Sequence, residues 1–90
     1  MPLTAVDEPG HYDFDTDNVY FFMTDGSKRV RCAITLQALE MLYPGPKRGA
    51  PTELACFDAN RSRIERAAAA KFRMRYTEAD GAVIVTSADL

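Results

Sequence analysis

The stretch that decides the fold is NVYFFMTDGSKRVRCAIT, residues 18–35, where two runs of strand-forming residues flank an Asp-Gly pair. Aromatic and branched side chains favour strands, and Asp-Gly is a common hairpin turn. We therefore predict an antiparallel hairpin. A two-residue turn pairs Phe22 with Arg29 and Tyr20 with Arg31, whereas a three-residue turn would exchange the faces of Phe21 and Phe22. With the two-residue turn, one face is apolar and belongs to the core: Val19, Phe21, Val30, Cys32 and Ile34. The other face carries Tyr20, Phe22, Arg29 and Arg31.

Two helices and another strand are predicted after the hairpin. Thr35 can cap a short helix, LQALEMLY, because its hydroxyl accepts a backbone N–H of the first turn. The segment PGPKRGAP, residues 44–51, ends that helix as a surface loop, since proline and glycine interrupt helices. A second helix is expected from Thr52 to about Arg73, followed by a strand over residues 82–87, with residues 74–77 as an alternative fourth strand. The apolar stripe of the second helix is Leu54, Phe57, Ile64, Ala68 and Phe72.

These elements predict one small α+β domain. The order strand, strand, helix, helix, strand gives a small antiparallel sheet packed against two helices. Ninety residues suit a single domain. We assign residues 18–90 to it and residues 1–17 to an acidic N-terminal arm.

Charge is distributed unevenly along the chain. Residues 1–27 contain acidic side chains and no Lys or Arg, whereas residues 28–75 contain all 11 basic residues. This separation fits either an acidic arm lying over a basic body or a basic surface for an anionic partner.

The sequence predicts a cytoplasmic protein without a membrane partner. Its apolar runs are too short to span a bilayer, and the acidic start MPLTAVDEPG does not resemble a secretion signal. Cys32 and Cys56 lie within predicted elements without the spacing of a metal site. We expect both to be reduced and buried.

The segment HYDFDTDN, residues 11–18, invites a metal or catalytic interpretation. Its alternating aspartates match the opening of a calcium loop, but Asn18 and Thr24 stand where such a loop needs glycine and glutamate. His11 is the single histidine and lies in an arm expected to be mobile. We therefore predict no catalytic residue, metal ligand or cofactor, and interpret the aspartates as protection of an exposed strand edge.

Two other groups of residues are candidate contact sites. Arg61, beside Asn60, falls in the middle of the apolar stripe, where a buried charge needs a partner. It either packs its stem there and reaches a carboxylate or carbonyl, or it recognises an anion. The second group is the face with Tyr20, Phe22, Arg29 and Arg31. That face either forms internal cation–π contacts or binds single-stranded nucleic acid.

Three blocks of the sequence resemble a family of short bacterial proteins known as domain of unknown function 1488. The blocks are DGSKRVRCAITLQALE, FDANRSRIERAAAAKF and DGAVIVTSADL, and the resemblance extends from about Asp13 to Leu90. The matching features include Cys32 in the second strand, Asn60 and Arg61 in the second helix, and the terminal Asp-Leu. The resemblance implies a compact α+β domain in a bacterial cytoplasm and implies no activity. It adds weight to Asn60 and Arg61 as a unit.

The function we expect is that of a non-catalytic interaction module that self-associates. The first strand is apolar on both sides, and we do not expect two helices to cover both sides fully. One alternative is a nucleic-acid-binding accessory protein that uses the basic segment 28–75. Another is a metal-assisted enzyme, which the scarcity of ligands disfavours.

Overall fold

The computed structural model describes residues 2–42 and 50–90, and these form an α+β domain as predicted. One mixed sheet has the strand order β1-β3-β4-β5. The strand β2 also pairs with β3, so β1 and β2 share the edge of β3 that β4 leaves open. The elements are β1 (Thr4–Ala5), β2 (His11–Asp13), β3 (Asn18–Thr24), β4 (Arg29–Ile34), α1 (Leu36–Leu42), α2 (Ala50–Ala59), α3 (Arg61–Arg73), β5 (Val83–Val85) and a final 3₁₀ turn (Ser87–Asp89).

The central hairpin is confirmed, but the predicted register is wrong by two residues. Thr24 pairs with Arg29, and Phe22 pairs with Arg31, so the turn contains four residues, 25–28. The carboxylate of Asp25 accepts the backbone N–H groups of Ser27 and Lys28, which stabilises this longer turn. A shift of two residues leaves every side chain on its predicted face.

The N-terminal segment contributes strands that the sequence did not indicate. Leu3 is buried, β1 pairs with the end of β3, and β2 forms a second hairpin with the beginning of β3. The turn of this hairpin contains Asp17 in the left-handed region, at φ 59°, and the Tyr12 hydroxyl donates to its carboxylate at 2.7 Å. His11 is therefore held in a strand, contrary to the expectation of mobility.

The first helix begins as predicted, whereas the second begins at Ala50 instead of Thr52 and is broken into α2 and α3. The hydroxyl of Thr35 accepts the N–H of Ala38 at 3.2 Å, as a helix cap should. At Asn60 the backbone leaves helical geometry, with φ −115° and ψ 14°, and this residue separates α2 from α3. The Asn60 side chain donates to the Cys56 carbonyl at 2.9 Å, a local bond of the kind that competes with a continuing helix. Most of the predicted loop, residues 44–49, lies outside the described residues.

The C-terminal part corrects two further details. α3 ends in a Schellman motif, with Tyr76 N–H bonded to Lys71 O and Arg75 at φ 65°, so residues 74–77 form no strand. β5 is parallel to β4 rather than antiparallel. The reason is the helical connection, which returns the chain to the end of the sheet from which β4 starts.

The core lies between the sheet and one layer of helices. Side chains of β3 and β4 alternate between the two faces, and their buried residues meet Phe57, Ile64 and Ala68. Phe21 and Phe57 are in contact, with ring centroids 5.0 Å apart. In the described part of the chain, none of the helices has the length and apolar character needed to cross a membrane.

Candidate functional site

The sheet face opposite the helices is the candidate site, and we call it the open face. Successive strand residues point to opposite sides, so the residues that alternate with the buried ones along each strand lie on this face. Along one row, His11 pairs with Tyr20, Tyr20 with Ala33, and Ala33 with Ile84. The residues that form the open face are His11, Tyr20, Phe22, Arg29, Arg31, Ala33 and Ile84.

Four predicted site residues meet on this face. The Arg29 guanidinium lies 4.2 Å from the ring centroid of Phe22, and that of Arg31 lies 4.8 Å from the centroid of Tyr20. Each arginine contacts the ring diagonally across the hairpin, because the four-residue turn sets Arg31 directly opposite Phe22. Arg29 also pairs with Glu8, and this pair lies at the surface.

The aromatic rings of the open face also contact one another. The rings of His11 and Tyr20 stack with centroids 5.1 Å apart and an interplanar angle of 23°. Tyr20 meets Phe22 edge-on at 6.2 Å. Each ring therefore already has a neighbour from its own chain, and Tyr20 has both a ring and a guanidinium against it.

A groove of about 510 Å³ crosses the open face, and we call it the Ala33 groove. It forms where the single methyl group of Ala33 lies between the larger side chains of Tyr20 and Ile84. Arg31 borders it on the sheet, and the segment 78–82 borders it beside β5. Its volume falls within the range of small-ligand and side-chain pockets in proteins.

Three carboxylates lie around the Ala33 groove, and two of them have structural roles. Asp13 accepts the N–H of Asp15 at 2.9 Å, and Asp80 accepts the N–H of Ala82 at 3.0 Å. Among the residues that the structure describes, the carboxylate of Glu78 has no hydrogen bond or ion pair, and Arg31 has no ion pair. The groove therefore combines an available anion with an available cation.

Arg61 and Asn60 lie in the helical layer, away from the open face. The Arg61 Nε donates to Glu65 at 2.9 Å, and its guanidinium lies 5.2 Å from the Phe57 ring centroid. One of its terminal nitrogens also reaches Val6 O at 3.5 Å. These are the contacts of the structural interpretation, in which the stem packs on apolar neighbours and the head reaches oxygens. Asn60 bonds to Cys56 rather than sharing a partner with Arg61.

The chemistry-bearing residues of the described ranges, 2–42 and 50–90, are dispersed. No three or more His, Cys, Asp or Glu side chains there are placed to hold a metal ion. Burial, aided by the negative charge of Glu65, raises the pKa of Cys32 to about 12, so its thiol is neutral. Cys56 is also buried and donates to the Leu39 carbonyl at 3.5 Å. Neither thiol is disposed to act as a nucleophile.

Comparison with known proteins identifies the family. A family model described as "Protein of unknown function (DUF1488)" matches residues 7–85. The chain belongs to the DUF1488 family. A crystal structure of another DUF1488 protein of unknown function, from Shewanella loihica PV-4, has the same fold, with a TM-score of 0.80 and 20% identity over 88% of this chain and 87% of that one. No curated protein matches the sequence.

Sequence patterns found four residues of the open face but missed the groove. Alternation within the hairpin was enough to group Tyr20, Phe22, Arg29 and Arg31. The groove depends on β5 pairing beside β4, which brings Ile84 and Glu78 from a distant part of the DUF1488 chain. No local signal marks such a pairing.

Proposed function

We propose that this DUF1488 protein is a non-catalytic interaction module that self-associates through its open face. The observation that carries the proposal is the coverage of the sheet, because in the described ranges the helices pack on one face and leave the other open. The other face presents Tyr20, Phe22 and two arginines. Aromatic and arginine side chains are the types most enriched in protein interfaces and their energetic centres.

The charges of the open face favour a second copy of the same chain as the partner. Arg29 and Arg31 lie on β4, and Asp13, Glu78 and Asp80 lie around the groove beside them. In a two-fold symmetric dimer, each surface meets its own copy, so a face with both signs can complement itself. The buried thiols of Cys32 and Cys56 suit a reducing bacterial cytoplasm, where we place the protein.

Sedimentation velocity over a wide concentration range tests the proposal. The wild-type chain should pass from monomer to dimer as its concentration rises. Phe22→Ser removes a ring from the centre of the open face and should weaken the dimer by about tenfold or more. Met41→Ser is the matched control, because Met41 is 57% exposed on α1 in the helical layer. A wild-type chain that stays monomeric at millimolar concentration would exclude self-association.

Nucleic-acid binding is the second candidate, and the combination of rings with arginines supports it. Two features of the open face oppose it. A base would have to displace the guanidinium or ring that already lies against Tyr20, and the carboxylates of the groove repel phosphates. Fluorescence anisotropy with single-stranded oligonucleotides at low salt separates the candidates. Tight binding that falls with salt and is lost in Arg29→Ala and Arg31→Ala would favour nucleic acid over a second copy.

A further inference from the structure

The Ala33 groove has the size and chemistry to receive one basic side chain. Tyr20, Ala33 and Ile84 supply an apolar floor on which the methylene stem of a lysine or arginine can lie. Glu78 stands at its edge with a carboxylate that has no partner among the described residues. An arginine that reached Glu78 would be held by the apolar floor along its stem and by the carboxylate at its guanidinium.

Arg31 is the basic residue best placed to fill such a groove in a second copy. Of the two arginines on the open face, Arg29 already pairs with Glu8, whereas Arg31 lies on the Tyr20 ring without an ion pair in the described chain. Arg31 is exposed and borders its own groove. A two-fold axis that passes close to Arg31 would therefore set the two grooves side by side.

We propose that Arg31 of each copy enters the Ala33 groove of the other and pairs there with Glu78, an inference that rests on the proposed self-association. The interface contains this contact twice because of its symmetry. The exchange explains why Arg31 and Glu78 border the same groove without an ion pair to any described residue. It also fixes how the two open faces are oriented relative to each other in the dimer.

A charge exchange between the two residues tests this pairing by sedimentation equilibrium at low salt. Arg31→Glu and Glu78→Lys should each raise the dimer Kd by about tenfold or more, because like charges then meet across the interface. The double variant should recover to within about threefold of wild type, since the ion pair is restored with its ends exchanged. Arg63→Glu and Asp58→Lys make the same charge changes at exposed helix positions and should leave the Kd unaltered.

Filling the groove provides a test without any change of charge. Ala33→Leu occupies the space for the incoming arginine stem and should weaken the dimer by about tenfold. This variant keeps the proposal testable if Arg31→Glu does not fold. A dimer with unchanged or tighter affinity in Ala33→Leu, or a double charge variant no better than the singles, would overturn the groove pairing while leaving self-association intact. A monomeric wild type would overturn both.

Discussion

At the scale of single residues, Gly10 is the position where the size of a side chain decides the packing. A Cβ atom at Gly10 would lie 2.7 and 2.8 Å from two carbons of the Phe57 ring and 3.3 Å from a methyl of Val19. Phe57 has no exposed surface and is held against Phe21, so its ring has no space into which to move. Only glycine therefore lets the backbone at position 10 lie so close to the Phe57 ring.

We predict that Gly10→Ala lowers the free energy of unfolding by about 1–3 kcal/mol, the usual cost of overpacking a core. Urea denaturation measures this change. Phe57→Leu should relieve the clash, so the cost of Gly10→Ala should be smaller in a Phe57→Leu background. An equal cost in both backgrounds would show that contact with the ring is not the cause.

Gly26 in the central hairpin and Gly10 in the N-terminal segment differ in whether the sequence alone shows why glycine is needed. Gly26, at φ 100°, lies in an Asp-Gly turn that local pattern identifies. Gly10 is required by an aromatic ring 47 positions further along the chain, and no local rule reports such a contact. Local pattern therefore locates the turn at Gly26 but does not report the tertiary contact at Gly10.

At the scale of elements, the central hairpin, the helices and β5 followed from composition, whereas β1, β2, the helix break and the direction of β5 did not. The stripe of Phe57, Ile64 and Ala68 is buried as predicted. The helix that carries it is interrupted because a single amide, that of Asn60, bonds to the preceding turn. The direction of β5 was decided by the helical connection and not by its own residues, which would suit either direction.

One lysine joins α3, β5 and the final 3₁₀ turn. Lys71 on α3 donates to Ile84 O of β5 at 2.7 Å and to Asp89 in the final 3₁₀ turn at 2.9 Å. The same Asp89 oxygen accepts the Thr86 N–H at 2.7 Å. Since β5 is an edge of the sheet, Lys71 also occupies a carbonyl that another strand would otherwise use.

Asp89 makes the stability of the protein depend on pH. Partial burial opposes its ionisation, but the hydrogen bonds from Thr86 and Lys71 outweigh burial and hold its pKa below the ordinary value. An aspartate in an unfolded chain titrates near pH 3.9. The stabilisation from Asp89 is therefore present above about pH 4 and is lost as the pH falls through its lower folded pKa.

We predict that Asp89→Asn lowers the free energy of unfolding at pH 7 by on the order of 1 kcal/mol, because Lys71 loses its charged acceptor. The difference from wild type should shrink as the pH is lowered from 5 to about 2.5. Urea denaturation at a series of pH values measures this difference. Asp58→Asn, at an exposed site on α2, is the control and should show little difference at any pH. A difference for Asp89→Asn that stays constant with pH would contradict a role for its ionisation.

At the scale of the whole molecule, the acidic N-terminal segment is built into the domain. Leu3 is 4% exposed, Tyr12 packs against the core, and β1 and β2 together line one edge of β3. Glu8 reaches Arg29, and Val6 accepts a bond from Arg61, so acidic and basic parts of the sequence meet directly. Of the two explanations for the uneven charge, these contacts match the acidic arm that lies over a basic body.

We therefore predict that removing residues 1–13 lowers the stability of the fold more than removing a flexible arm would. Burying a large apolar side chain contributes about 1.5–3 kcal/mol, so losing Leu3 and Tyr12 together removes a large part of the roughly 5–15 kcal/mol that stabilises a domain. The truncation also removes Gly10 from the ring of Phe57 and leaves an edge of β3 unpaired. Circular dichroism should show a much lower melting temperature for the chain 14–90, and gel filtration should show aggregation.

The substitution Leu3→Ala in the full-length chain separates core packing from strand pairing. It removes one buried side chain while β1 and β2 stay paired, so we expect an intermediate melting temperature and no aggregation. If the chain 14–90 melted like the full-length protein, the N-terminal strands would contribute nothing to stability, and residues 18–90 would be a self-sufficient domain. If it aggregates as expected, the unit that folds includes the acidic segment, because the edge of β3 and the ring of Phe57 both require it.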